Sequence, residues 1–413
     1  MKILIINTAE NKGGAAVACN RLHEALLQNG HDSKMLVRQK SSNDSTVIEF
    51  TQSIIRKKIN LFFFFLELFI LKFFKKEGLD FSLPWFGPAL HKHPLVKEAD
   101  IIHLHWVQNS FLTLNCLKKL QKLKKPIVWT LHDMWAFTGG CHYNIECRKF
   151  ETSCEHCPQL KNTAVVDFSR STFSNKQKIY STKNTIVAPS QWLANEARAS
   201  SLLKNNSINV IPYNINFDLF KPVNKNTAKK SFGIEESKKI ILFVSMNVED
   251  HRKGFEYFKQ SIIELENNIE NWCNDYEVLA IGRNTDIKHF NTKIHYTGRL
   301  SDVDKISMAY AAADVFVAPS LQDNLPNTVI ESLSCGTPVV AFNIGGMPDM
   351  IEHKENGYLA ESKNSKSLSK GILYCLSNDM KESCRNKVLN TYSSSLISKK
   401  YIDLYKSCIH EVN

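Results

Sequence analysis

The sequence predicts an α/β protein with two doubly wound parallel sheets, one in each of two domains. The chain has 413 residues, which is long for one domain and comfortable for two. Short apolar runs alternate with amphipathic helical stretches through both halves, as βα units require. The composition is that of an ordinary globular protein, with 43% apolar and 23% charged residues.

The strands are predicted from short apolar runs, and the helices from apolar residues at helical spacing. In chain order the predicted strands are Ile3–Asn7, Ser33–Val37, Ile101–His105, Ile127–Thr130, Thr185–Ala188, Ile208–Ile211, Lys239–Ser245, Tyr276–Ile281, Lys293–Thr297, Val315–Ala318 and Pro338–Phe342. The predicted helices between them include Ala15–Asn29, Gln191–Ala199, Phe255–Asn267 and Ile306–Ala313.

The segment 212–222 is interpreted as the connection between the two domains. The N-terminal domain then spans 1–211 and the C-terminal domain spans 223–394. A last segment, 395–413, contains a helix at about Ser395–Ile409.

Charge and cysteine usage restrict the class of protein. The net charge of +11 suggests attraction to anions, but no nucleic-acid-binding motif stands out. Eleven cysteines, most of them scattered singly, argue for a reducing compartment. The first apolar run, Lys2–Asn7, is too short for a signal peptide. A cytoplasmic protein is expected.

The phenylalanine-rich segment 54–76 departs from the alternating pattern. It contains Phe62–Phe65 and five lysines, and charged residues interrupt it, so a bilayer-spanning helix is not expected. Aromatic residues flanked by lysine suit the interface of an anionic membrane. The alternative is a core helix of the N-terminal domain.

Two carboxylates, Asp323 and Glu331, are separated by seven residues. The first follows the strand Val315–Ala318, the second lies on the next helix, and a further strand leads to Gly345-Gly346. Ligands of such sheets bind beyond the carboxyl ends of the strands. The stretch resembles the acidic-x7-acidic signature of retaining glycosyltransferases of family 4, which have the GT-B fold. The family usually has Glu where this chain has Asp323.

The resemblance implies two Rossmann-like domains that face a cleft, with a nucleotide-diphosphate sugar donor in the C-terminal domain. It also implies that the C-terminal helix of segment 395–413 crosses back to the N-terminal domain. A glycan or lipid-linked acceptor would bind the N-terminal domain, at the inner face of the cell membrane. The implied role is the assembly of surface polysaccharide or lipopolysaccharide. No catalytic metal or other cofactor is implied, and no Mg²⁺-binding Asp-x-Asp is evident.

Roles for individual donor-site residues also come from the resemblance. Glu331 would bind ribose hydroxyls, and Asp323 would reach the donor sugar with the amides of Asn324 and Leu325. The remaining expected donor contacts are basic. Arg252 and Lys253 would bind the diphosphate, and Arg299 would lie near the base or the diphosphate.

In the N-terminal domain Gly13 and Gly14 follow the first strand and open a helix, and the resemblance implies that they contact the nucleotide-sugar phosphate or the acceptor. Because glycine has no Cβ, a ligand can approach the backbone closely at this helix N-terminus. It also implies that His132 orients the donor sugar and stabilises the transition state. Asp133 would fix its tautomer or only cap the next turn. For His103 and His105 an acceptor contact and packing at the core edge are the two alternatives.

Four cysteines cluster within the predicted insertion 139–160, and two of them have the spacing of a zinc knuckle. The residues are Cys141, Cys147, Cys154 and Cys157. A structural Zn²⁺ is the preferred interpretation, with free thiols or one disulfide as the alternatives.

Two further functions remain open. A GT-B epimerase or phosphorylase would share the fold, although the lysine setting for a phosphorylase cofactor is not found. A catalytically silent scaffold that binds nucleotide-sugar is favoured only by the change to Asp323.

Overall fold

A computed structural model describes residues 1–180, 184–248, 250–283 and 290–412. The chain forms two compact units. Met1–Asn214 and Ser394–Asn413 make the first, and Ile215–Ser393 makes the second. The boundary between the units therefore lies inside the segment 212–222, and the last helix belongs to the first unit.

The first unit contains a seven-stranded parallel sheet in the order β3-β2-β1-β4-β5-β6-β7. Its strands are β1 Lys2–Ala9, β2 Asp32–Gln39, β3 Val47–Glu49, β4 Ile101–Leu104, β5 Ile127–Thr130, β6 Thr185–Ala188 and β7 Ser207–Val210. Every residue of β4 and β5 is buried, as expected for central strands covered on both faces. The order of the strands reverses between β1 and β4.

Helices connect the strands of this sheet. They are α1 Gly14–Gln28, α2 Ile54–Phe74, α3 Pro94–Glu98, α4 Leu114–Gln121, α5 Phe168–Ile179 and α6 Gln191–Ala199. Side-chain caps fix several of the starts, as where the Ser190 hydroxyl accepts from the Leu193 amide at the start of α6. These caps satisfy amides that the first helical turn leaves without a backbone partner.

The second unit contains a six-stranded parallel sheet in the order β10-β9-β8-β11-β12-β13. Its strands are β8 Lys239–Asn247, β9 Tyr276–Arg283, β10 Ile294–Gly298, β11 Val315–Ala318, β12 Val339–Phe342 and β13 Gly357–Ala360. Here the order reverses between β8 and β11, so a ligand site is expected beyond the carboxyl ends of these two strands.

The helices of the second unit are α7 Lys225–Lys230, α8 Phe255–Asn268, α9 Trp272–Asp275, α10 Val303–Ala312, α11 Asn327–Ser334, α12 Met347–Met350, α13 Ser365–Ser377 and α14 Lys381–Thr391. The last helix, α15 Ser394–Val412, returns to the first unit and packs beside α1. Tyr401 and Tyr405 of α15 enter the same core as Ile5 of β1.

The two-sheet α/β prediction is confirmed, with two strands that the sequence did not reveal. β3 has three residues at a sheet edge, and β13 begins with glycine and is only partly buried, so neither has a strong apolar pattern. No helix among the described residues is long and apolar enough to cross a membrane.

Helix α2 is not the core helix that was the alternative for the phenylalanine-rich segment. Only Glu67 and Leu71 are buried along its 21 residues. Glu67 holds the helix to the unit, because its carboxylate accepts from the Leu83 amide at 2.8 Å and from the Ser110 hydroxyl. An apolar face is left exposed, and we call it the α2 face. Its residues are Ile54, Ile55, Ile59, Leu61, Phe62, Phe65, Leu68, Phe69 and Phe73.

Candidate active site

Two cations converge on Asp323 where the strand order of the second sheet reverses. Lys253 Nζ lies 2.6 Å and Arg252 NH1 3.4 Å from Asp323 Oδ2. The cations come from the turn after β8, and the carboxylate comes from the loop after β11. The fold therefore joins residues that are about 70 positions apart in the sequence.

Backbone contacts fix the two loops against each other. The Leu321 amide donates to the Arg252 carbonyl at 2.8 Å, and the Arg252 guanidinium donates to the Gln322 carbonyl at 3.0 Å. Gly254 has a φ of +68°, and a Cβ there would lie 1.8 Å from the Pro319 carbonyl oxygen. Only glycine allows this turn to approach the loop so closely.

Asp323 is a buried carboxylate that stays ionised. Burial raises its pKa, but the charges of Lys253 and Arg252 outweigh burial and lower the pKa to about 2. A second glycine supports the loop, since a Cβ on Gly345 would lie 2.0 Å from the Asp323 carbonyl oxygen. Asp250 belongs to the same cluster, since Arg252 NH2 lies 3.3 Å from its Oδ2, so two carboxylates and two cations are held together here.

Glu331 lies on α11 and is largely buried. The Tyr310 hydroxyl of α10 donates to its Oε2 at 3.0 Å. Sequence reasoning missed Tyr310, since nothing distinguishes it from the other eleven tyrosines until the fold places it beside the carboxylate.

The other predicted donor contacts have different surroundings. Asn324 and Leu325 are buried, and the Asn324 amide donates to Asp323 Oδ1 at 3.1 Å. Arg299 follows the edge strand β10 and is exposed. Among the described residues its guanidinium makes no hydrogen bond or ion pair, to the Asp323 cluster or elsewhere.

In the first unit, His132 follows β5 and is buried, and each of its ring nitrogens lies within hydrogen-bonding distance of another side chain. Its Nε2 lies 3.0 Å from His105 Nδ1, and its Nδ1 lies 2.8 Å from the Tyr213 hydroxyl. Burial lowers the pKa of His132 to about 4, although Asp133 acts in the opposite direction. At neutral pH the ring is therefore a neutral donor and acceptor.

Asp133 takes the turn-capping role of its two predicted alternatives. It accepts from the Trp135 amide at 2.9 Å and from Trp106 Nε1 at 2.9 Å, and His142 Nδ1 lies 2.8 Å from its Oδ2. Among the described residues it makes no hydrogen bond to His132. Burial lowers the pKa of His142, but Asp133 outweighs burial and leaves the pKa raised, which favours an ion pair.

His103 and His105 are buried in a chain of hydrogen bonds within the core. His105 Nε2 lies 3.3 Å from His103 Nδ1, and His103 Nε2 lies 2.8 Å from the Thr130 hydroxyl. These contacts agree with packing at the core edge, the second alternative for the pair.

Gly13 and Gly14 stand at the start of α1 after β1. Gly13 has a φ of +92°, and a Cβ there would meet no atom within 4 Å. The requirement for glycine at this position is therefore conformational, and the space above the backbone is open.

The four clustered cysteines line one cavity in the first unit. Cys141, Cys154 and Cys157 are buried, and Cys147 is half-buried. The Gly139 amide donates to Cys154 Sγ at 3.2 Å. Within the described ranges, no three His, Cys, Asp or Glu side chains are already grouped as a metal site.

Comparison with known proteins identifies the family. Residues 12–219 match the model described as Glycosyltransferase Family 4, and residues 238–378 match that described as Glycosyl transferases group 1. A putative colanic acid biosynthesis glycosyl transferase, WcaC of Escherichia coli K12, is 23% identical over 88% of each chain.

Two solved structures show the same fold. Sucrose-phosphate synthase from Thermosynechococcus elongatus superposes with a TM-score of 0.67 at 17% identity and covers 100% of both chains. Anabaena HepE in complex with UDP-glucose superposes with a TM-score of 0.62 at 14% identity, covering 98% of this chain and 100% of that one. The chain has the GT-B fold and belongs to the group 1, family 4 glycosyltransferases.

Proposed function

We propose that this glycosyltransferase moves a sugar, with retention of configuration, from a nucleoside-diphosphate donor to a glycan or lipid-linked acceptor. The product would belong to a surface polysaccharide or lipopolysaccharide. The cluster of Asp323, Lys253 and Arg252 at the reversal of the second sheet carries the proposal. The WcaC relative and the UDP-glucose complex of HepE support it.

The cluster suits a leaving diphosphate. As the acceptor hydroxyl bonds to C1 of the sugar, the bond from C1 to the phosphate oxygen breaks and negative charge grows on the diphosphate. Lys253 and Arg252 would stabilise that charge more in the transition state than in the bound donor. The proton of the acceptor hydroxyl would pass to the departing phosphate oxygen on the same face of the sugar. No metal ion is then required.

The carboxylates and His132 would position the donor. Glu331, held by Tyr310, would accept hydrogen bonds from the ribose hydroxyls. Asp323 would contact the sugar hydroxyls, and His132 would orient the sugar ring. Gly13 and Gly14 would allow the acceptor or a phosphate to approach the backbone. The exposed Arg299 would contact the base or the diphosphate.

The experiment is a transfer assay with a panel of UDP-, GDP- and ADP-sugars and a polyprenyl-diphosphate-linked glycan. We expect one donor to be consumed only with acceptor, and the anomeric configuration of the product, read by NMR, to match that of the donor. An inverted product would refute retention. Donor binding without transfer to any acceptor would favour the silent scaffold, and release of a free modified sugar-nucleotide would favour an epimerase.

We also propose that the α2 face docks the enzyme on the cytoplasmic side of an anionic membrane. Phe62 is 62% and Phe69 61% exposed, and burial of such surface is worth about 25 cal/mol per Å². Lys58 and Lys72 lie on the same helix, and each would add about 1 kcal/mol near anionic lipid, whereas Lys57 is paired with Glu49 at 2.5 Å. Apolar and charged contributions would act together.

Vesicle flotation tests this docking. Replacing Phe62, Phe65 and Phe69 by Ser should release the protein from phosphatidylglycerol vesicles. Phe63, which stacks on Phe86 at 5.0 Å, is left in place to protect the fold. Leu389→Ser, at an exposed position of α14, is the control. Retention of the triple variant on vesicles, or wild-type protein that ignores them at low salt, would refute the docking.

We propose further that the four cysteines hold a structural Zn²⁺. Thiolates are ordinary zinc ligands, and an amide already donates to one of the sulfurs. Binding would have to draw the sulfurs together, because the described side chains are not grouped at ligand spacing. The ion would stabilise the insertion and take no part in transfer.

A further inference from the structure

His132 is held at both ring nitrogens by residues that its sequence motif does not contain. Its Nε2 meets His105 Nδ1 at 3.0 Å, and its Nδ1 meets the Tyr213 hydroxyl at 2.8 Å. The rings of His132 and Tyr213 also stack, with centroids 5.4 Å apart and an interplanar angle of 18°. All three side chains are buried, so water does not compete freely for these contacts.

The two contacts are linked through the chemistry of a neutral imidazole, which has one N–H donor and one lone pair. If His132 donates from Nε2 to His105, its Nδ1 must accept from the Tyr213 hydroxyl. If His105 donates instead, His132 must donate from Nδ1 to the Tyr213 oxygen. A mismatched arrangement would leave two donors or two lone pairs facing each other in the core. The two contacts therefore change together, and the direction of the bond to His105 sets the tautomer of His132.

His105 is itself hydrogen-bonded through its second ring nitrogen. Its Nε2 lies 3.3 Å from His103 Nδ1, which lies 2.7 Å from the Tyr405 hydroxyl of α15. Burial lowers the pKa of His103 to about 3 and that of His105 well below its usual value, so both rings are neutral and obey the same rule. A hydrogen-bonded chain thus runs from the last helix of the protein to His132.

We propose that His105 and Tyr213 are positioning residues for the transfer reaction, which fix the ring orientation and the tautomer of His132. This inference rests on the proposed role of His132 at the donor sugar. A free imidazole samples two ring orientations and two tautomers, whereas His132, with both nitrogens bonded, would keep one orientation and so present one ring edge to the sugar. Holding that arrangement before the donor binds removes a cost from the transition state.

Conservative variants test the inference. Tyr213→Phe removes only the hydroxyl and keeps the stacked ring. His105→Asn places an amide near the former Nδ1 and can still bond His132, whereas His105→Gln places it near the former Nε2 and cannot. Tyr392→Phe is the matched control, because it removes a buried hydroxyl of the second unit that donates to Asp349 at 3.1 Å.

Three measurements are made on each full-length variant: kcat and the donor KM, UDP and GDP affinity by calorimetry, and ¹⁵N NMR of the His132 ring. The His132 signals are assigned by their absence in His132→Gln. We expect Tyr213→Phe and His105→Gln to lower kcat roughly 3- to 10-fold, the effect of losing one neutral hydrogen bond. Nucleotide affinity should not change. The ring signals should shift from one tautomer to a mixture, and His105→Asn should keep the wild-type pattern.

The outcomes separate this inference from the proposed function. If Tyr213→Phe leaves both the His132 signals and kcat unchanged, or if Tyr392→Phe lowers kcat equally, the positioning role is overturned. Should His105→Gln fail to fold, Tyr213→Phe still decides the question. Full activity of His132→Gln would instead remove His132 from the proposed function, while the tautomer measurement would stand by itself.

Discussion

Lys253→Ala should weaken the binding of nucleoside diphosphate by roughly one to two orders of magnitude. Lys253 contributes the shorter of the two ion pairs with Asp323, at 2.6 Å against 3.4 Å for Arg252. Its ammonium is therefore the charge best placed to bind an anion at the end of β11. A hydrogen bond to a charged group is worth about 1.5–3 kcal/mol, and each 1.4 kcal/mol is tenfold in affinity.

The same substitution also changes the protein without ligand. Among the described residues Asp323 would keep only Arg252 as a charged partner, so its pKa should rise from about 2 towards the usual value of 3.8. Leaving a buried carboxylate poorly paired is destabilising, by up to about 3–5 kcal/mol when a partner is lost completely. Loss of binding must therefore be separated from loss of folding. The double variant Lys253→Ala with Asp323→Asn removes the unpaired charge and should recover much of the stability, but not the affinity.

The assay is calorimetric titration with UDP, GDP and ADP, alongside thermal unfolding of the same samples. Lys259→Ala is the control, because Lys259 lies one turn into α8 and its one ion pair within the described ranges is with the exposed Glu256. Affinity of Lys253→Ala within twofold of wild type, in a protein that unfolds normally, would refute the diphosphate assignment. So would an equal loss of affinity in Lys259→Ala.

Glu331→Gln should keep the Tyr310 hydrogen bond and the melting temperature. It should lower kcat/KM for the donor by roughly 10-fold or more, because the ribose loses a charged acceptor. Unchanged kinetics would refute the ribose role of Glu331. The first unit should lose stability on acidification, because the folded pKa of His132 is about 4 and the unfolded value about 6.5. The contribution of neutral His132 to the free energy of unfolding is present above pH 6.5 and should fall by about 3 kcal/mol as the pH drops from 6.5 to 4. Urea unfolding at a series of pH values measures this fall. If His132→Gln shows the same slope of unfolding free energy against pH as wild type, the prediction is contradicted. Metal analysis of protein purified without chelator should find one Zn²⁺ per chain. The double variant Cys154→Ser, Cys157→Ser should lose the ion, whereas Cys273→Ser, at an exposed position, should keep it. Absence of Zn²⁺ from the wild-type protein would refute the zinc site.

The fold was predictable because its signal is local. Central strands such as β4 and β5 are short runs of buried residues, and they are visible without knowledge of their neighbours. An edge strand lacks such a run of buried residues. β3 has only three residues, and only one of them is fully buried. Its position depends on pairing with β2, and the pattern of its own three residues does not show that pairing.

The site was predictable only in part, for the same reason. The acid pair and the basic turn form recognisable motifs, so Asp323, Glu331, Arg252 and Lys253 could be proposed from the sequence, and the fold brings the two cations to Asp323. Their partners could not. Tyr213 is 81 residues from His132 along the chain, and the carboxylate next to His132 in the sequence bonds elsewhere. Adjacency in the sequence left two alternatives for Asp133, and the turn after β5 directs its carboxylate to the Trp135 amide, which is the capping alternative.

The change from the family's usual Glu to Asp323 now has a physical interpretation. The shorter side chain brings its carboxylate within 2.6 Å of Lys253 and accepts the Asn324 amide of its own loop. Asp323 therefore holds in place the same cations that we assign to the diphosphate. A bound donor would share these cations with Asp323, and the carboxylate would stay ionised because its pKa is lowered to about 2. Asp323→Glu, one methylene longer, should disturb this pairing but reach further towards the sugar. Donor affinity and turnover should therefore change in opposite directions, which a loss of both in a stable variant would contradict.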